Sequence, residues 1–139
     1  MNSEGFTSEQ LDRIRTALEK VPFAKLIGLE LEEVEPGAAI MGLDVREELK
    51  QINGVVHGGA VASLIDTATA FAVISVLPPE ERATTVDLTI SYLRPVTKGR
   101  LRARARVQRA GRRLIVVSAE VSDDSGKLTA TALTTYIKI

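Results

Sequence analysis

Between Ala60 and Leu77 the chain is almost wholly apolar or small, and Asp66 is the one charged residue in that run. A carboxylate in such a setting is costly to bury unless it is paired or opens onto a cavity. Buried and cleft carboxylates are also where raised pKa values and base chemistry occur. The structural alternative is a hydrogen bond from Asp66 to a neighbouring helix end or loop. Upstream stand Gln51, Asn53-Gly54 and His57-Gly58-Gly59. Paired glycines at the start of an apolar helix cost backbone entropy, which suggests close approach or unusual dihedrals. Helix starts carry free N–H groups and a partial positive charge, so a glycine there lets a carbonyl oxygen come near and accept. The same N–H would stabilise the oxyanion that forms when that carbonyl is attacked. A tight loop-to-helix turn would use the same glycines. His57 is read first as a structural residue at the helix start, able to orient the loop or bond a substrate. Gln51 can donate an amide N–H to a carbonyl.

Spacing adds a constraint. Gly58 and Asp66 are eight residues apart, about 12 Å along a helix axis. An attacking group and an oxyanion donor must both lie within about 3–3.5 Å of the reacting carbonyl. If both act in one reaction, they come from different chains, and the protein is a dimer.

Composition narrows the classes. The 139 residues suffice for one ordinary domain with a real core, and 45% hydrophobic with 26% charged residues is the balance of a globular protein. Lys+Arg and Asp+Glu both number 18, which argues against a nucleic-acid or anionic-membrane coat. With no cysteine and one histidine, disulfides, thiolate metal sites and a Cys nucleophile are excluded, and no metal site or cofactor is expected. The polar start MNSEGFTSEQ lacks a leader's apolar region, so a cytoplasmic protein is expected. The 60–77 run approaches membrane-spanning length, but Asp66 at mid-bilayer would cost roughly 2.5–3.5 kcal/mol and no basic flank orients it. A buried helix is expected instead.

The elements that must position these residues can be read in order. Thr7 with Gln10 resembles a capping box, and Leu11, Ile14, Leu18 and Val21 make a helical stripe over 8–21, ended by Pro22. Leu29 and Leu31 open a strand, Pro36-Gly37 centres a turn, and Ala39, Met41, Leu43 and Val45 alternate in a second strand. Residues 46–56 form a loop with an Asn53-Gly54 turn. A helix then runs from near Gly58 to Leu77, apolar on nearly every face, so it must be wrapped by other structure. Pro78-Pro79 stops it. Four strands follow. In the first, Val86, Leu88, Ile90 and Tyr92 form the core face, and Thr85 and Asp87 alternate away. In the second, Arg100, Arg102, Arg104 and Arg106 form a row that is either a phosphate-binding stripe or the solvated face of a half-buried strand. Further strands cover 113–122 and 127–138. One domain over 1–139, with one sheet curling around one helix, buries that helix most simply.

The order Gln51, Gly54, His57-Gly58-Gly59, Asp66 resembles the hotdog-fold thioesterase superfamily, nearest the phenylacetic-acid-degradation (PaaI-type) and 4-hydroxybenzoyl-CoA thioesterases. The likeness extends to Thr84-Thr85-Val86-Asp87-Leu88, Tyr92-Leu93-Arg94-Pro95 and Gly111-Arg112. It implies an α+β hotdog fold, a curved antiparallel sheet around a long central helix, paired into dimers and commonly into dimers of dimers. It implies acyl- or aroyl-CoA as substrate, Asp66 as nucleophile or general base, Gly58 N–H polarising the thioester carbonyl, and Gln51 helping to bind it. Thr85 would position the attacking water. Gly59 and Asn53 are substrate-binding candidates beside them. Lys98, Arg112 and Arg113 are candidates for the CoA phosphates, which need cationic partners. Two other readings remain at this point: a hotdog dehydratase or hydratase, and a non-catalytic acyl-CoA-binding domain.

Overall fold

The computed structural model describes residues 5–139; the first four residues of the polar start lie outside the described residues. Thr7 caps α1 (Ser8–Glu19) through the expected reciprocal bonds with Gln10. Leu11 and Ile14 turn inward, whereas Val21 is partly exposed. Pro22 ends α1 and also opens a second short helix, α2 (Pro22–Ile27), which the hydrophobic periodicity had not revealed. Proline suits that first helical position, where its missing N–H has no intrahelical partner.

The hairpin forms as read, with β1 (Leu29–Glu35) antiparallel to β2 (Ala38–Asp44) and Ala39, Met41 and Leu43 buried. A 3-10 turn at Glu47–Leu49 interrupts the connecting loop. The central helix α3 (Gly58–Ile74) ends three residues before the expected Leu77. Ser75 caps it there: its hydroxyl donates back to Ala72 O at 2.6 Å and accepts from Gly37 N–H at 2.8 Å. The remaining strands are β3 (Ala83–Tyr92), β4 (Arg100–Ala110), β5 (Leu114–Ser122) and β6 (Leu128–Lys138).

All six strands form one antiparallel sheet in the order β1-β2-β4-β5-β6-β3. Helix α3 packs against every one of them, and Leu64, Ile65, Ala68 and Ala72 have no measurable exposure. This is the hotdog fold. β3, last in sequence before the β4–β6 meander, pairs with β6 and lies at the end of the sheet.

One strand departs from simple alternation in a way that matters for the site. Thr85 pairs with Tyr136 but Asp87 pairs with Thr135, so Val86 is an extra residue in β3. Such a bulge reverses the facing of side chains on either side of it. Val86 is therefore 58% exposed rather than in the core. Thr85 shares the inner face with Ala83, Leu88 and Ile90 instead of alternating away.

Arg100 and Arg102, two of the four arginines in the row, are neutralised by the neighbouring strands. Arg100 reaches Glu30, Glu32 and Asp44 at 2.8–2.9 Å, and Arg102 Nε donates to Glu32 at 2.7 Å. The network crosses Gly42, where any side chain would run into the Arg100 guanidinium and the Glu32 carboxylate. It fits the solvated-face reading better than a phosphate stripe. Burial alone would raise the Glu32 pKa, but hydrogen bonds from Arg102 and Arg100 hold it below its usual value of 4.5. A depressed carboxylate pKa adds stability above the unfolded value, and that stability disappears as pH falls through the folded value. Glu32→Gln should therefore lower Tm at pH 7 but converge with the parent protein as pH drops below about 4.5. A Tm difference that stays constant from pH 7 to pH 3 would show that the charge of Glu32 is not what stabilises this face.

Candidate active site

Asp66 sits two turns into α3 and is half-buried. Its Oδ1 accepts from Thr85 Oγ1 at 2.9 Å, a contact that the bulge at Val86 makes possible. Tyr136 of β6 completes the setting. Its hydroxyl lies 2.8 Å from the Asp66 carbonyl oxygen, to which it donates, and 3.4 Å from Oδ1. Thr69, one turn along α3, lies 2.9 Å from the Tyr136 hydroxyl and 3.0 and 3.1 Å from Ile65 O and Asp66 O, the three acceptors within reach of its single proton. Burial pushes the Tyr136 phenol up to about 12, and the nearby Asp66 charge adds to the rise. Tyr136 is thus a neutral donor near pH 7. Among the described residues none donates to Asp66 Oδ2, and that oxygen is not sealed from solvent. One carboxylate oxygen is pinned, and the other is free to take a proton or attack a carbon.

A second cluster gathers at the start of α3. His57 is the N-cap: its Nδ1 accepts the Gly59 N–H at 2.7 Å, which puts the proton of neutral imidazole on Nε2. The Gly59 N–H is thereby occupied. Gly58 is the first helical residue, and the N–H of that position has no intrahelical acceptor. Tyr92 donates to Gly58 O at 2.8 Å, and its ring would lie 3.3 Å from a β-carbon at position 58. A β-carbon there would require the Tyr92 ring to give by a few tenths of an ångström. Gln51 belongs to this cluster through its turn: its backbone bonds Val55 O, the Lys50–Val56 bridge closes the loop, and Val56 leads into the helix. Gln51 Oε1 accepts from Asn53 N–H, which leaves its amide N–H groups facing away from that bond. Asn53 is exposed at the loop tip beside Ile52.

Within one chain the two clusters stay apart. Gln51, His57 and Gly58 lie at one end of α3, while Asp66, Thr69, Thr85 and Tyr136 lie about 12 Å along it. The cationic candidates divide in the same way. Lys98 follows Val96, whose carbonyl accepts the Val56 N–H near the helix start. Arg112 and Arg113 form the β4–β5 turn at the opposite end of the 11-residue strand β4, roughly 35 Å away at about 3.3 Å per residue. One CoA cannot meet all three within a chain.

Sequence reading missed Thr69, Tyr92 and Tyr136. Tyr136 carried a signal, because it continues the inward alternation of Ala130 and Thr134, and a buried tyrosine needs a partner for its hydroxyl. Thr69 stands at i+3 from Asp66, the spacing of neighbours on a helix face.

The wrapped helix thus carries a half-buried carboxylate at its middle and a glycine N–H at its start. The sequence model of the Thioesterase superfamily matches residues 53–130. The chain belongs to that superfamily. A relative in Saccharolobus solfataricus, whose name assigns it only provisionally to the esterases, is 31% identical over 98% of this chain and 90% of its own. The medium/long-chain acyl-CoA thioesterase YigI of Salmonella typhimurium is 29% identical, covering 84% of this chain and 85% of its own. The structure of the Escherichia coli PaaI protein, from the phenylacetic acid degradation operon, superposes with a TM-score of 0.87 at 27% identity, covering 95% of each chain. The general function is that of a thioesterase. No helix among the described residues is long and apolar enough to cross a membrane.

The Tyr136 hydroxyl is the buried group that ties β6 to the Asp66 turn. Tyr136→Phe keeps the ring and removes the donor, and should cost about 1–3 kcal/mol of unfolding free energy. Urea denaturation measures it; a loss well under about 0.5 kcal/mol would mean that Tyr136 does not hold this turn.

Proposed function

We propose that the protein, as a single hotdog domain, hydrolyses acyl- or aroyl-CoA thioesters to free acid and CoA, with Asp66 as the reacting carboxylate. The observation that carries the reading is Asp66 itself: Oδ1 held by Thr85, Oδ2 free, in a helix whose start presents a glycine N–H. Asp66 Oδ2 either takes a proton from the attacking water or attacks the thioester carbon directly. In the first route the water oxygen bonds to the carbonyl carbon as its proton passes to Asp66. The tetrahedral oxyanion is met by the Gly58 N–H and the Gln51 amide. Its collapse breaks the C–S bond, and the proton returns from Asp66 to the departing CoA sulfur. In the second route an acyl-Asp66 anhydride forms as CoA leaves, and water then cleaves it. Thr85 keeps the carboxylate oriented in both.

The donor and the carboxylate that meet one carbonyl are proposed to come from two chains. A two-fold dimer would set each α3 start beside the middle of its partner's helix and so form two equivalent sites. β3 supports this reading. It is a ten-residue strand at the end of the sheet, and long open edges are ones proteins usually cover. Val86, Tyr92, Leu93 and Ile52 are exposed near it and near the α3 start. Pairing of such dimers into a dimer of dimers is proposed on the family resemblance alone.

Release of CoA from butyryl-, decanoyl- and benzoyl-CoA, followed with a thiol reagent, tests the activity. Asp66→Asn should lower turnover by a factor on the order of 10² or more while leaving substrate affinity in place. Near-normal turnover in a folded Asp66→Asn protein would remove Asp66 from the chemistry. The shared site is tested by mixing inactive Asp66→Ala with inactive Gly58→Pro. Proline fits a first helical position, and His57 before it already has the extended ψ of 137° that proline requires. Mixed dimers should recover up to about half of the parent activity, because one of their two sites is intact. Confirmed mixed dimers without rescue would place the whole site within one chain.

A further inference from the structure

We infer that Tyr136 is a positioning residue for the reaction: its hydroxyl spans the main-chain and side-chain oxygens of Asp66 and fixes where Oδ2 points. This rests on the role proposed for Asp66. Two strand hydroxyls reach that residue, and both come from a single cross-strand pair, because Thr85 of β3 lies opposite Tyr136 of β6. Thr85 donates to Oδ1 at 2.9 Å. The Tyr136 hydroxyl stands 2.8 Å from Asp66 O and 3.4 Å from Oδ1. The ring behind it is only 3% exposed, so that hydroxyl has no route to bulk water.

A carboxylate held at one oxygen alone is poorly aimed, because the terminal torsion of an aspartate is broad. Thr85 supplies that one bond. Tyr136 holds the other end of the same residue, its backbone carbonyl, so that the side chain is fixed at both ends. The phenol proton has three acceptors within reach, Asp66 O, Asp66 Oδ1 and Thr69 Oγ1, and two of them belong to Asp66. Thr69 sets the direction. It is fully buried, and when its proton goes to the Tyr136 oxygen, the phenol proton is left for Asp66. The charge to be held is not constant. It leaves Asp66 as Oδ2 takes a proton or bonds the thioester carbon, and it returns as the product departs. The Tyr136 proton can turn from Asp66 O toward Oδ1 as that charge returns, with the ring in place. Tyr136 needs no contact with the substrate for this, since it acts through Asp66. The effect is large enough to measure: a reacting group displaced by about 1 Å can cost on the order of 10² in rate.

The test uses whichever of the CoA esters named above is hydrolysed fastest, at a temperature where circular dichroism shows every variant folded. Tyr136→Phe keeps the ring and should lower kcat on the order of tenfold or more with KM unchanged. Thr69→Val should lower kcat by less, and Thr69→Ser, which restores the hydroxyl, should recover it. In an Asp66→Asn background the same Tyr136→Phe change should leave the residual rate as it is, because no carboxylate remains to be aimed. An unchanged kcat in Tyr136→Phe overturns the inference. So does a further fall of the residual rate in the double variant, which would assign Tyr136 to packing or to the substrate itself. Normal turnover in Asp66→Asn, or no hydrolysis of any ester, would fail the catalytic reading on its own. The hold of Tyr136 on Asp66 is then decided without substrate by the NMR signal of the Asp66 carboxyl carbon, identified by its loss in Asp66→Asn. Tyr136→Phe and Thr69→Val should move that signal and Thr69→Ser should return it; a signal unmoved by Tyr136→Phe overturns the inference.

Discussion

The fold depends on one constraint: a helix that is apolar on nearly all sides must be wrapped, and it carries a carboxylate into the interior it creates. The six strands answer the first demand by curving so that each touches α3. The second demand is sharper. An ionised group taken from water without compensation costs several kcal/mol, and an ordinary core would simply exclude it. Here the compensation is supplied by hydroxyls, not by an opposite charge. Thr85 bonds the carboxylate, while Tyr136 and Thr69 bond each other and the backbone of the same turn. A lysine or arginine in their place would hold Asp66 in a tight ion pair and could occupy Oδ2 as well. Neutral donors stabilise the anion and leave Oδ2 exposed.

Much of this could be read from the sequence because the signals were local. The Thr7–Gln10 cap, the Pro36-Gly37 hairpin, the wrapped helix and the four following strands each announce themselves within a dozen residues. The position of Asp66 was equally plain, as a charge where none belongs. What escaped reading depends on pairing between distant segments. The Val86 bulge exists only relative to β6, and without it the alternation of β3 assigns Val86 to the core and Thr85 to solvent. The structure reverses both assignments. Tyr136 lies 70 residues from Asp66, so its role could be suspected from its inward parity but not assigned a partner. The early end of α3 likewise follows from Gly37, in a different hairpin, occupying Ser75 Oγ.

The two faces of the sheet solve different problems. Inside, small residues such as Ala103, Ala105 and Ala119 let the strands bend closely about α3. Outside, β1, β2 and β4 are tied by the Arg100–Glu32–Arg102 network laid over Gly42, so these two arginines serve the sheet. For the proposed CoA ester, cations in the loops at the ends of the strands remain the candidates for its phosphates.

The order of parts along α3 then restricts which loops those are. Arg112 and Arg113 form a turn whose backbone accepts from Lys138 N–H at the end of β6, beyond the far end of β4 from the α3 start. Lys98 lies with the α3 start, through Val96 and Val56. In the proposed two-fold dimer the α3 start beside Asp66 would belong to the partner, whose loop would bring a lysine together with the Gly58 donor. Under that proposal the middle of α3 would meet the carbonyl carbon and its first turn would serve the neighbouring chain, because no helix can bring its own start to its own centre.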